Sequence, residues 1–190
     1  IGWMQDIEGF SPGDCEEFYR TFYAPNNAIV VVVGDLHVGA TLARIQAAYG
    51  LLPAATIPEE DIQPEPPQTA ERRLALTKPT PTEKVLVGYR GPAFGDADHA
   101  AATVLAEVLF SGRAARVYKK LVREAEAASE VRGWVSTFRD PGLFEMHLVA
   151  REGHTAEELL TLLEPELERA RQELPSADEV ARAVARLELG

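Results

Sequence analysis

Four histidines, one cysteine and 30 carboxylates are the residues of this 190-residue chain with the chemistry for catalysis or metal binding. A hydrolytic zinc helix needs two His on one face, one turn apart, with a Glu beside them as general base. The stretch nearest to that spacing is His154-Thr155-Ala156-Glu157-Glu158, but its fifth position is Glu158 rather than His. Thr155 and Glu158 read better as a capping box that opens a helix. His99 stands beside Asp96 and Asp98. Acidic side chains at the positive end of a helix dipole explain that grouping better than a cation site does. His37 follows a strand exit, and His147 lies in an alternating run where a surface or hydrogen-bonded role suits it. Cys15 lies on the apolar stripe of a helix, which predicts a buried, inert thiol. No Gly-x-Ser-x-Gly elbow and no phosphate-binding glycine loop is present. Glu59-Glu60 and Glu157-Glu158 read as solvated faces. Residue chemistry alone assigns no catalytic and no metal-binding residue.

Composition narrows the classes further. The net charge is −11, from 19 Lys+Arg against 30 Asp+Glu. An acidic surface repels phosphates, which argues against a nucleic-acid partner. Hydrophobic residues make up 46%, enough for a folded core. Cys15 alone cannot form an internal disulfide. No apolar run approaches the roughly 20 residues that span a bilayer; the longest, Ala28 to Val33, is strand-sized. The chain begins Ile1-Gly2-Trp3-Met4 without an initiator Met or a signal segment, so the expectation is a piece of a longer protein.

Periodicity supplies the elements. Ser11-Pro12-Gly13-Asp14 opens a helix that carries Cys15, Phe18, Tyr19 and Phe22 on one stripe and ends at Pro25-Asn26-Asn27. Ala28 to Val33 is a continuous β-branched run, which predicts a central strand covered on both faces. A helix over about Gly39 to Tyr49 should bury Leu42, Ile45 and Ala48, with Gly50 as its C′ residue. Pro53 to Thr69 is a Pro- and acid-rich surface connection. Strands are expected at Arg73 to Lys78 and Lys84 to Tyr89, and helices at Asp98 to Phe110 and Arg113 to Glu124. Val131 to Phe138 and Leu143 to Val149 alternate like an antiparallel pair joined by Asp140-Pro141-Gly142. Thr155 and Ser176 each begin a capping box, opening helices over Ala156 to Glu173 and Ala177 to Leu189, with Pro165 expected to kink the first. The fold class is α+β, a mostly antiparallel sheet with helices packed on one face. Residues 1–190 read as a single domain.

The stretch from Phe18 to Asp35, with Tyr23-Ala24-Pro25-Asn26-Asn27 leading through Ala28 to Val33 into Gly34-Asp35, resembles the insulinase/pitrilysin zinc peptidases, which include the mitochondrial processing peptidase. Tyr49-Gly50 followed by Pro53 continues the likeness. Gly112, Arg116-Val117-Tyr118, Leu121 and Arg123-Glu124 are similar to the family's Gly…Ser-Arg-Leu-Tyr…Leu-Arg-Glu segment, with Ala115 where Ser is usual. Pro141-Gly142-Leu143-Phe144 and Ser176 to Val180 follow in the family's order. The motif positions that the resemblance marks as structural are Tyr23, Pro25, Asn27, Gly34, Asp35, Gly112, Arg116 and Tyr118.

In this family each unit has two halves, and the first carries His-x-x-Glu-His and a more distant Glu that bind zinc. The chain resembles the second half. The resemblance therefore implies a non-catalytic, substrate-enclosing domain of a zinc-dependent metalloendopeptidase, inactive by itself, with zinc bound by a first half outside this sequence. The implied partners are that zinc-binding half, a second homologous unit and a peptide substrate. The alternative is a domain of a catalytically inert member that serves as partner subunit or peptide-binding module. The resemblance favours a soluble protein of the bacterial cytoplasm or periplasm.

Overall fold

The computed structural model describes residues 2–59 and 65–189, which form two compact units divided at Arg73/Leu74. Residues 60–64, in the middle of the Pro- and acid-rich connection, lie outside the described residues; the flanking parts carry no regular structure.

The first unit holds α1 (Met4–Gly9), α2 (Pro12–Phe22) and α3 (Val38–Tyr49). Residue type dictates where α2 begins. The Ser11 hydroxyl accepts from the Asp14 N–H at 3.3 Å, and the Asp14 carboxylate accepts from the Ser11 N–H at 2.8 Å. Two helix-end donors are thereby satisfied, with Pro12 supplying a preset φ at the first turn. The Ser11 hydroxyl, and then its N–H, hold the Asp14 carboxyl below its ordinary range. Past α2, Pro25–Asn27 form one 3₁₀ turn.

Three expectations for this unit are corrected. Ala28 itself is extended (φ −127°, ψ 140°), but Ala28 to Val33 form no strand and have no ladder partner among the described residues. Val31 is 78% exposed and Val33 91%. A strand needs a ladder partner, and the described residues supply none. The apolar side of α3 is likewise uncovered: Leu42 and Ala48 are exposed and Ile45 is half-buried. Cys15 is exposed rather than buried, because nothing among the described residues packs over the α2 stripe. A further difference is backbone geometry at Gly50, which continues right-handed (φ −65°) instead of taking a left-handed C′ conformation. Glycine suits it for another reason: a Cβ there would meet the Gln46 carbonyl oxygen.

The second unit is the α+β body. Its sheet holds β1 (Lys84–Arg90), β2 (Ala128–Val135) and β3 (Leu143–Ala150) in the order β1-β3-β2, antiparallel throughout. Val85 and Val131 both lie opposite Leu148, and Val87 and Gly133 opposite Met146. Alternation puts these residues on one face. Onto it pack α4 (Ala97–Phe110), α5 (Ala156–Gln172) and a π-helical segment, Tyr118–Glu124. The core joins Leu109, Phe110, Val117 and Leu121 to Met146, Leu148, Leu159 and Leu163. The last helix, α6 (Ala177–Leu189), lies against α4. There Arg186 reaches Glu107 at 3.5 Å.

The expected strand at Arg73 to Lys78 is not present. Among the described residues this stretch forms no strand, and Leu74 and Leu76 are exposed, so two alternating leucines did not bring a ladder. The helix expected from Arg113 to Glu124 begins as a turn and widens to π geometry at Tyr118. The helix α5 is continuous across Pro165. Of the two expected capping boxes, the Ser176–Glu179 box is complete. At Thr155 the hydroxyl caps Glu158 N–H, while the Glu158 carboxylate turns to His154 Nδ1 at 2.9 Å.

Candidate functional site

The motif positions fall in two places. In the first unit, Tyr23 closes α2, its N–H donating to the Tyr19 carbonyl at 3.0 Å, and its ring stacks on Tyr19 with centroids 5.0 Å apart. Pro25 opens the 3₁₀ turn. Asn27 Nδ2 donates to the Phe22 carbonyl at 2.9 Å, satisfying one of the orphan acceptors at the helix end. Gly34 and Asp35 form an exposed bend after Val33. The sequence reading missed Asn26. Its side chain donates to the Ala55 carbonyl at 2.9 Å and accepts from the Ala55 N–H at 3.0 Å, a backbone-like clamp across 29 residues. Asn beside Asn gave no signal as to which of the two would reach so far.

In the second unit, Gly112, Arg116 and Tyr118 gather at the exit of α4. Gly112 has φ +80°, a left-handed conformation that favours glycine, and a Cβ there would run into the Arg186 guanidinium. Arg116 is buried and grips Glu179 at two points, Nε to Oε1 at 2.7 Å and Nη2 to Oε2 at 2.9 Å. Its third contact is Nη1 to the Glu173 carbonyl at 3.4 Å. The hydrogen bond from Arg116, helped by the Ser176 N–H, holds the Glu179 carboxyl down at about 2. Ser176-x-x-Glu179 was legible as a helix cap; that the same carboxylate would also receive Arg116, 63 residues away, was not.

Tyr118 is half-buried and begins the π-helical segment. It borders two adjoining cavities. One, of about 440 Å³, is lined by Phe110, Val131, Gly133 and Trp134 among others. The second, of about 260 Å³, is lined by Tyr118, Arg113 and Arg123. Gly133 makes room for Phe110, since a Cβ there would strike its ring.

The remaining histidines are structural in their contacts. His37 caps α3 through Nδ1, which accepts from Ala40 N–H at 3.4 Å. His99 is buried, with Nε2 3.2 Å from the Ser136 carbonyl and its ring edge-on to Phe94. His147 Nδ1 lies 4.0 Å from Glu130. Among the described residues no three His, Cys, Asp or Glu side chains gather where they could hold a metal ion. The donor set here does not fit a zinc site. Nor is any helix among the described residues long and apolar enough to cross a membrane.

The second unit is thus an antiparallel sheet with helices on one face, with no metal-ligand cluster among the described residues. Residues 9–187 match the model of the peptidase M16 inactive domain, and the chain belongs to that family. It is 29% identical over 148 residues to zinc protease PqqE of Helicobacter pylori, a match that covers 76% of this chain and 33% of that protein. The fold is that of a protease from Helicobacter pylori, with TM-score 0.85 and 23% identity over 99% of this chain and 46% of the other. It is also that of a peptidase M16 inactive domain from Pseudomonas fluorescens, with TM-score 0.81 and 19% identity over 97% of this chain and 44% of the other. The match thus spans about a third of the length of this curated relative. These findings bear out the resemblance to the zinc peptidase family and to its second, non-catalytic half.

Proposed function

We propose that the chain is the non-catalytic half of a zinc-dependent metalloendopeptidase, where it completes the fold of a zinc-binding half and helps to enclose the peptide. The observation that carries this reading is Ala28 to Val33. Six consecutive apolar residues of strand-forming type stand exposed and without a ladder partner among the described residues. Unpaired strand backbone and contiguous apolar surface are costly in water and mark a face made for another protein surface. The companion is the remaining part of a longer protein, consistent with relatives of which this chain covers 33% and 46%. The zinc chemistry resides in that companion. What this chain contributes is a sheet with a free edge at β2 and cavities beside it.

The test is reconstitution. The chain is purified alone, and again with the His-x-x-Glu-His half of its parent, and both are assayed for bound zinc and for cleavage of a quenched fluorescent peptide. The expected result is no stoichiometric zinc and no cleavage by the chain alone, with chelator-sensitive cleavage by the pair. Zinc-dependent cleavage by the chain alone overturns the reading. A stable pair that cleaves nothing turns the chain into a subunit of an inert family member.

A further inference from the structure

We infer that the two cavities at Tyr118 form one peptide subsite that selects a carboxylate next to an apolar or aromatic residue. The inference rests on the proposed role in enclosing a peptide. Its starting point is the π-helical widening at Tyr118–Glu124, closed by Ala125 N–H on the Lys120 carbonyl at 3.0 Å. In an α-helix, residues five apart are separated by roughly 140° around the axis, five steps of about 100° each. Tyr118 and Arg123 would then look in different directions. The wider π turn needs more residues per revolution, and it brings Tyr118 and Arg123 to one cavity, which Arg113 completes. Widenings of this kind are rare and cluster at functional sites.

Charge supports an anionic occupant. Arg113 and Arg123 are exposed, and neither makes an ion pair among the described residues. The neighbouring carboxylates already have cations. Glu124 is held by Lys119 at 3.8 Å and Lys120 at 3.5 Å, Glu130 by Arg132, and Glu107 by Arg186. Two uncompensated guanidiniums beside a tyrosine, in a chain of net charge −11, suit a carboxylate through charge-assisted hydrogen bonds. The adjoining cavity, with Phe110, Val131 and Trp134, suits an apolar side chain on the next residues of the same peptide. A protein of this net charge otherwise favours basic peptides, so a preference for an acidic one is a local property of this subsite.

The probes are a short peptide, acetylated and amidated at its ends, with Glu on either side of Phe, and the same peptide with Lys at both places. Each is titrated into the whole ¹⁵N-labelled chain. The expected result is that the Glu peptide shifts the Gly112 and Gly133 amides and the Trp134 indole, binding at least tenfold tighter than the Lys peptide. The double variant Arg113→Gln/Arg123→Gln should lose that preference while keeping its resonance dispersion. Arg44→Gln, an exposed arginine of α3, should retain it. Equal binding of the two peptides, no binding of either, or an unchanged preference in the double variant overturns the inference. So does displacement by inorganic phosphate as efficient as by the Glu peptide. If the assembled halves cleave peptides without any acidic preference, the subsite fails and the peptidase reading stands. If the Glu peptide binds as described but the assembled halves cleave nothing, the subsite stands and the peptidase reading fails.

Discussion

Arg116 and Glu179 show what one ion pair does when it also closes a helix cap. Glu179 accepts from Arg116 at two points and from Ser176 N–H at 2.8 Å, so one carboxylate ties the exit of α4 to the start of α6. Arg116→Ala leaves that carboxylate with the cap alone, and the loss of a largely buried partner should cost roughly 2–3 kcal/mol in chemical denaturation. The same pair sets an acid dependence. Glu179 is depressed from its ordinary 4.5 to about 2 in the folded chain. Between those values the unfolded chain binds the proton and the folded chain does not, so the contribution is complete above 4.5 and is lost as pH falls toward 2. Thermal midpoints taken from pH 6 to pH 3 should therefore fall less steeply in Glu179→Gln than in the parent. At this scale the sequence was legible where the chemistry is local. Ser11, Thr155 and Ser176 announced their caps because a cap and its partner lie three residues apart. Asn26 with Ala55, and Arg116 with Glu179, did not, because no spacing rule links residues 29 and 63 positions apart.

Among the elements, the antiparallel pair β2–β3 and the helices α4 and α5 were readable because each buries its own periodic stripe within the second unit, and α6 because its cap at Ser176 marks its start. Gly133 belongs to that packing. Gly133→Ala pushes a methyl into the Phe110 ring and should destabilise by about 1–3 kcal/mol, seen as a lower urea midpoint. Ala28 to Val33, expected as a covered central strand, forms no strand among the described residues and is exposed. A β-branched run specifies strand backbone, whereas cover depends on what lies opposite, and the described residues place nothing there. Val31→Asp separates the two properties. In the chain alone its side chain is exposed, so stability should stay within about 0.5 kcal/mol. In the pair with the zinc-binding half, a charge in the completed sheet should weaken assembly, measured by analytical ultracentrifugation. The π-helical segment was beyond periodicity altogether: Val117, Leu121 and Val122 fit a helical stripe, and nothing in their spacing distinguishes a turn one residue wider.

For the whole molecule, the proposed role rests on the apolar surface left uncovered among the described residues. The second unit holds its own core and sheet. The first unit presents Phe18, Tyr19, Leu42 and Ala28 to Val33 to solvent, the surface that the proposed assembly with a companion half would use. The most direct measurement is amide hydrogen exchange of residues 28–33 in the chain alone and after assembly with the zinc-binding half. Unpaired amides exchange quickly, and amides in a buried ladder are protected to the level of global unfolding. The account predicts rapid exchange alone and strong protection in the pair, while β3 amides stay protected in both. Unchanged exchange at residues 28–33 on assembly would contradict it.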